Sequence, residues 1–135
     1  MTAAPENRTV EAVRLLLIDD EKDFVDILSK RLRRRHMDVA KAYNGAEAVR
    51  LLRNRQFDVA VLDLKMEDMN GIEVLKMLRI MAPRLVVIML TGHGSVEAAE
   101  QGIKLGAFDY LTKPCELEDL VKKIMQAYAY RKQNN

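Results

Sequence analysis

Four apolar runs in this chain stop at residues able to do chemistry. Arg14 to Ile18 ends in Asp19-Asp20-Glu21, Val59 to Leu62 in Asp63, Leu85 to Leu90 in Thr91, and Ala107 to Leu111 in Thr112-Lys113-Pro114. Brought together, Asp19, Asp20 and Asp63 would repel one another and stay ionised only with a cation among them. A ligand set of hard oxygens without His or Cys suits Mg2+, which keeps several waters and favours a partner phosphate. Lys113 adds a point charge for a phosphoryl group, and the Thr91 hydroxyl a hydrogen bond. A carboxylate beside Mg2+ and a lysine is equipped to be phosphorylated, because phosphoryl transfer asks mainly for in-line positioning and charge neutralisation. Asp63 then reads as a nucleophile of the aspartyl-phosphate type. Singly, each residue has a plainer reading: Asp63 as a turn residue, Asp19-Asp20-Glu21 as first-turn acids of a helix, Thr91 as a cap, Lys113 as a surface lysine. Five such coincidences, each at the carboxyl end of an apolar run, are less credible than one site.

The elements that must position these groups follow from periodicity. Unalternating apolar runs such as Val59 to Leu62 read as strands covered on both faces, which belong to parallel sheets between helices. Arg14 to Ile18 is the first strand and Asp38 to Ala42 a shorter second one. The run ending at Asp63 is the third, Leu85 to Leu90 the fourth, and Ala107 to Leu111 the fifth. Between them lie helical patterns. The first contains Phe24, Ile27, Leu28 and Leu32, and the second is opened by Asn44-Gly45. The third spans about Ile72 to Met81 and is stopped by Pro83. The fourth follows Gly92-His93-Gly94 and is closed by Gly106 as a C-terminal cap. The last places Leu117, Leu120, Val121, Ile124, Met125 and Tyr128 on one face. Alternating strands and helices specify right-handed β-α-β units and a parallel sheet. In such a sheet ligands sit outside the carboxyl ends of the strands, where the candidate residues fall.

Composition narrows the classes. The 135 residues suit one domain with a real core. With 22 basic and 20 acidic side chains, net +2, the balance argues against a dedicated nucleic-acid or anionic-membrane binder. Lys30 to His36 is a basic run, read as a solvated helix end favoured by the macrodipole rather than a nucleic-acid patch, since no aromatic is interleaved. No run approaches a membrane span, and no signal-peptide pattern opens the chain. Cys115 is the only cysteine, which leaves neither a disulfide framework nor a thiolate metal cage and fits a cytoplasmic setting. The methionines read as core filler.

Four motifs, in this order and spacing, resemble the receiver (phosphoacceptor) domain of two-component response regulators: Leu17-Ile18-Asp19-Asp20-Glu21, Val61-Leu62-Asp63, Leu90-Thr91-Gly92 and Tyr110-Leu111-Thr112-Lys113-Pro114. The resemblance covers about Arg14 to Tyr128. It implies a flavodoxin-like doubly wound (βα)5 three-layer α/β sandwich with strand order 2-1-3-4-5. The expected organisation is an arm at 1–12, the receiver at 13–130 and a tail at 131–135. By position, Asp63 resembles the phosphoacceptor, Asp20 the direct Mg2+ ligand, Asp19 the acid that helps hold the metal, and the Lys65 backbone carbonyl a further ligand. Thr91 and Lys113 resemble the phosphate-sensing pair and Tyr110 the switch aromatic. The Lys113-Pro114 bond is expected to be cis. Lys65 and His93, two residues past Asp63 and Thr91, stand where the family modulates phosphoryl lifetime, against a reading in which both face solvent. Glu67 stands where the family often has proline, which predicts a more mobile loop.

The resemblance implies a phosphorylation-driven switch rather than an enzyme acting on a metabolite. A sensor histidine kinase or histidine phosphotransfer protein would phosphorylate Asp63. The chain would assist its own phosphorylation and dephosphorylation. The output surface would be the fourth helix, fifth strand and fifth helix, about Gly94 to Tyr128, acting on a partner protein or output domain. Tyr128 and Tyr130 suit a homodimer formed on phosphorylation, against plain helix-end packing. Three other readings fit less well. A haloacid-dehalogenase-type hydrolase wants an Asp two residues past the nucleophile, where Lys65 stands. A nucleotide or flavin binder on the same fold would want the third glycine of the dinucleotide fingerprint, where Glu97 stands, or a P-loop, which the sequence lacks. A pseudo-receiver would lack part of the acidic cluster. Thr91-Gly92-His93-Gly94-Ser95 resembles receivers that precede transcription-activating ATPase domains, so both a stand-alone receiver and a piece of a larger regulator remain open.

Overall fold

The structure, a computed structural model, describes residues 12–67, 70–92 and 94–134; the first eleven residues of the expected arm lie outside that range. Strands and helices alternate: β1 (Arg14–Ile18), α1 (Lys22–Arg33), β2 (Asp38–Ala42), α2 (Gly45–Asn54), β3 (Val59–Asp63), α3 (Gly71–Met81), β4 (Val86–Thr91), α4 (Val96–Lys104), β5 (Asp109–Thr112) and α5 (Leu117–Gln133). The five strands form one parallel sheet in the order β2-β1-β3-β4-β5. This is the flavodoxin-like order that the resemblance implied.

The apolar runs do not alternate with polar residues because both faces of the sheet are covered. Leu16, Ile18, Ala60, Leu62, Val87 and Met89 pack on one face with residues of α2 and α3, and α4 leans on that core. Their neighbours Leu15, Leu17, Val59, Val61, Ile88 and Leu90 face the other way, against α1 and α5. The period of two along each strand thus sends successive apolar residues into two separate cores.

Local signals set the helix ends. The Asn44 side chain accepts from the Glu47 N–H at 2.8 Å, and Glu47 reaches back to the Tyr43 N–H at 2.7 Å, so two N-terminal donors are satisfied. Asn70 caps α3 through the Ile72 N–H. Gly71 is required there: a Cβ would stand 2.4 Å from the Leu64 Cα, so glycine lets α3 begin against the end of β3. At the end of α4, the Ala107 N–H bonds to the Gly102 carbonyl and the Gly106 N–H to that of Ile103, with Gly106 at φ +108. These are the two bonds of a Schellman cap. They explain why β5 starts at Asp109 and not at Ala107: the Ala107 N–H is already used by the helix.

The basic run after α1 is held by the fold. Arg33 donates to the Val39 carbonyl at 3.0 Å and Arg35 pairs with Glu118 of α5. His36 takes the left-handed conformation, φ 66, at a turn where glycine is usual. α5 runs to Gln133, past the boundary at 130 placed from sequence, and Arg131 reaches back under the sheet. Among the described residues no helix is long and apolar enough to cross a membrane.

Candidate functional site

β1 and β3 are neighbours, but the chain leaving β1 turns to β2 on the far side. Such a reversal opens a crevice at the carboxyl ends of the two strands. Asp19 follows β1 and its N–H extends the ladder to the Ala42 carbonyl at 3.1 Å. Asp63 is the last residue of β3 and pairs in register with Leu90, while Thr91 ends β4 opposite Thr112. The sheet therefore sets Asp19, Asp63, Thr91 and Lys113 side by side, and the turn into α1 adds Asp20. Asp19, Asp20 and Asp63 each bring a carboxylate oxygen within 4.8 Å of the others. The Lys113 Nζ lies 2.8 Å from Asp19, 2.7 Å from Glu21 and 3.8 Å from Asp63.

The electrostatics show a site short of positive charge at its centre. Burial, then the charge of Asp19 and more weakly that of Asp20, raise the Asp63 pKa from 3.8 to about 6 against the opposing pull of Lys113 and the Lys65 N–H. That N–H sits 3.4 Å from the Asp63 Oδ1. Burial works against the Lys113 ammonium, but hydrogen bonds to Asp19 and Glu21 and the nearby carboxylate charges outweigh it and raise its pKa. Three crowded carboxylates, one pushed toward protonation, fit a hard divalent cation: it would restore ionisation of Asp63 and satisfy oxygen ligands alone.

Other residues singled out from sequence take varied places. Thr91 is buried and its carbonyl accepts from the Lys113 N–H at 2.6 Å. The Lys113-Pro114 peptide is cis, as expected. Tyr110 is half-buried and packs against the core beneath α2 and α3. Lys65 is exposed and lines an open cleft with Asp20, Glu21, Tyr43, Glu47 and Glu67. His93 lies outside the described residues. Glu67 has a definite partner: its N–H donates to the Asp20 Oδ2 at 2.8 Å. A proline at that position would have no N–H to give.

Sequence reasoning missed two contributors. Glu21, read as a first-turn acid and the last residue of the acidic motif but given no role in the site, is a second carboxylate on Lys113. Phe24, read as helix core, lies with its ring centroid 4.4 Å from the Lys113 Nζ, a distance at which the ring face attracts a cation. It also missed a second buried carboxylate at the other end of β3. Asp58 accepts from the Arg14 N–H at 2.8 Å and Nη2 at 2.9 Å, and forms an ion pair with Arg131, whose Nη1 lies 3.1 Å away. Burial alone would raise its pKa, but these bonds and charges hold it below the ordinary value.

Comparison with known proteins gives the family and the fold. Residues 15–125 match the family model described as the response regulator receiver domain, and the chain belongs to that family. It is 36% identical over 120 residues to the transcriptional regulatory protein ZraR of Klebsiella oxytoca, covering 89% of this chain and 27% of that protein. It is 38% identical over 120 residues to the alginate biosynthesis transcriptional regulatory protein AlgB of Pseudomonas syringae, covering 89% and 26%. The chain thus spans about a quarter of the length of these relatives. Among solved structures, a receiver domain from Clostridium thermocellum superposes with a TM-score of 0.86 at 32% identity, covering 91% of this chain and 99% of that one. A CheY-like receiver from Methanospirillum hungatei gives a TM-score of 0.87 at 28% identity, covering 93% and 100%.

Proposed function

We propose that this receiver accepts a phosphoryl group on Asp63 from the phosphohistidine of a sensor kinase or a histidine phosphotransfer protein. The observation that carries the reading is the placement of Asp63: buried, at the end of β3, with Asp19 and Asp20 beside it and the Lys113 ammonium 3.8 Å away. Its carboxylate oxygen attacks phosphorus, the P–N bond breaks, and the imidazole nitrogen leaves with the bonding pair. Asp19, Asp20, Asp63 and the Lys65 carbonyl would hold Mg2+, which when bound supplies charge neutralisation at the transferring group. Lys113 leaves its pairings with Asp19 and Glu21 to meet the new phosphoryl oxygens, and the Thr91 hydroxyl donates to them. Water attack on the acyl phosphate later returns free Asp63 and inorganic phosphate.

The switch rests on contacts that exist only in the phosphorylated state. Thr91 and Lys113 gain acceptors that the free carboxylate lacks, and that difference shifts an existing equilibrium. Tyr110, adjacent in the sheet and only half-buried, changes rotamer as Thr91 moves. The change is read on the face made by α4, β5 and α5, where Val96, Ile103 and Met125 are exposed. In a longer regulator of the kind its relatives represent, that face acts on an output domain or a partner, in the cytoplasm. The exposed Tyr130 supports pairing of two copies on phosphorylation. Lys65 and His93 set the phosphoryl lifetime by hindering or orienting water; unchanged decay in Lys65→Ala and His93→Ala would remove that role.

The deciding experiment is incubation with acetyl phosphate and Mg2+, read by intact mass. One added phosphoryl group, lost in Asp63→Asn and with metal chelated, is the expected result. Labelling that persists in Asp63→Asn would move the acceptor elsewhere.

A further inference from the structure

The amino-terminal end of the sheet, opposite the acidic crevice, carries a concentration of arginine that the switch does not use. The turn Pro83-Arg84-Leu85 between α3 and β4 separates two clefts of about 360 and 380 Å³, and Arg84 and Arg131 line both. Arg79, Phe108 and Tyr130 complete the first cleft. Clefts of this size fall at the lower end of the range that holds small ligands.

The three arginines are not equally engaged. Arg131 spends one terminal nitrogen on Asp58, yet its Nε is buried with no partner among the described residues. Buried N–H donors are seldom left unpaired without a reason. Arg79 is fixed in place: its Nη1 donates to the Pro83 and Leu85 carbonyls at 3.2 and 3.1 Å. It also lies over Gly106, where a Cβ would stand 2.8 Å from its Nε. Arg84 is exposed and makes no ion pair or hydrogen bond with the described residues. Among the described residues Asp58 is the one carboxylate held by these three arginines, and it is already matched by Arg14 and Arg131. The first cleft therefore presents an excess of guanidinium. Its far wall is aromatic: the Phe108 and Tyr130 rings lie 5.4 Å apart, tilted by 48°, and Tyr130 is exposed.

We propose that this cleft is a binding site for a small phosphate-bearing ligand, held by Arg84, Arg79 and Arg131. Guanidinium groups recognise phosphate through paired, charge-assisted hydrogen bonds. A nucleoside phosphate and inorganic pyrophosphate share that chemistry; the Phe108-Tyr130 wall gives a base something to stack on and so favours the nucleoside phosphate. A nucleic-acid backbone would call for cations spread along a surface, whereas these converge on one cleft. The site is independent of phosphoryl transfer at Asp63, from which it is separated by the length of the strands.

The test is titration of the chain, free of Mg2+, with ATP and separately with pyrophosphate, followed by calorimetry and by amide chemical shifts. Saturable binding is expected, with shifts at Leu85 to Val87 and at Ala107-Phe108. Arg84→Glu should weaken both ligands by at least about tenfold, since one charge-assisted contact is lost and a repulsion added. Acetyl phosphate labelling of that variant should stay at wild-type level and so report an intact fold. Tyr130→Leu should weaken ATP and leave pyrophosphate unchanged; equal effects on the two would assign the ligand to the inorganic class. No saturation at millimolar concentration, shifts confined to Asp63 and Lys113, or affinity unchanged in Arg84→Glu would each overturn the proposal.

Discussion

One aspartate, Asp58, immediately precedes β3 and another, Asp63, ends it, and the two have opposite fates. Asp58 and Asp63 are 3% and 4% exposed, with the four apolar residues Val59 to Leu62 between them. Asp58 is met by two arginines and a backbone N–H, and its pKa is lowered. Asp63 is met by one distant ammonium and two like charges, and its pKa is raised to about 6. Burial opposes ionisation at both ends, so depth does not distinguish them; the sign of the neighbours does. One carboxylate is part of what holds the fold together. The other is given only a long backbone hydrogen bond and an ammonium 3.8 Å away, and so keeps the capacity to gain a ligand.

Substitution should separate the two acids most strongly. Asp63→Asn should abolish acetyl phosphate labelling, while Asp58→Ala should leave the folded fraction labelled. In stability the pair should separate in opposite directions. Asp58→Ala strands the buried part of Arg131 and should cost about 3–5 kcal/mol, read from the denaturant midpoint. Asp63→Asn removes a crowded charge and should stabilise the metal-free protein by about 2 kcal/mol near neutral pH. Destabilisation by both would mean that Asp63 is a structural acid like its counterpart.

The pH profile sharpens the same contrast. For Asp63 the native state binds its proton more tightly than the unfolded chain does. Metal-free stability should therefore fall as pH rises from about 4 to about 6 and then level off. Asp58 acts with the reverse sign: its contribution is complete above the unfolded value near 3.8 and is lost as pH falls through its lowered native value. Thermal melts of Asp63→Asn should lack the decline between the two limits. Because a bound cation must displace the Asp63 proton, Mg2+ affinity should rise with pH through about 6, measurable by calorimetry. The smallest change lies away from both acids. His36→Gly should raise stability by roughly 0.5–1 kcal/mol by relieving a left-handed residue, with labelling unaltered.

Much of this was legible in the sequence because burial on two faces leaves a plain signature. Runs such as Arg14 to Ile18 and Leu85 to Leu90 read as covered strands, and their polar stops marked one edge of the sheet. The strand order came from family resemblance, since nothing in local pattern says which strands are neighbours. What stayed hidden depends on partners far along the chain. Asp58 drew no notice because its partners, Arg14 and Arg131, come from opposite ends of the chain. Glu21 and Phe24 looked like helix residues because only the return of β5 brings Lys113 over them. The start of β5 was misplaced for a related reason: the hydrogen bonds of a helix cap compete with those of the sheet, and sequence shows both claims on Ala107 without the outcome.

The backbone bond from Glu67 to Asp20 has a consequence for ion uptake. A carboxylate at the mouth of a crevice normally swings among rotamers, and a cation that binds it must freeze that motion. Here the polypeptide has already turned the Asp20 side chain and occupied one of its oxygens, so the cost of ordering it is met when the chain folds. The loop after β3 thus holds one oxygen of the Asp20 carboxylate, and a cation entering the crevice would meet a side chain that the backbone has already oriented.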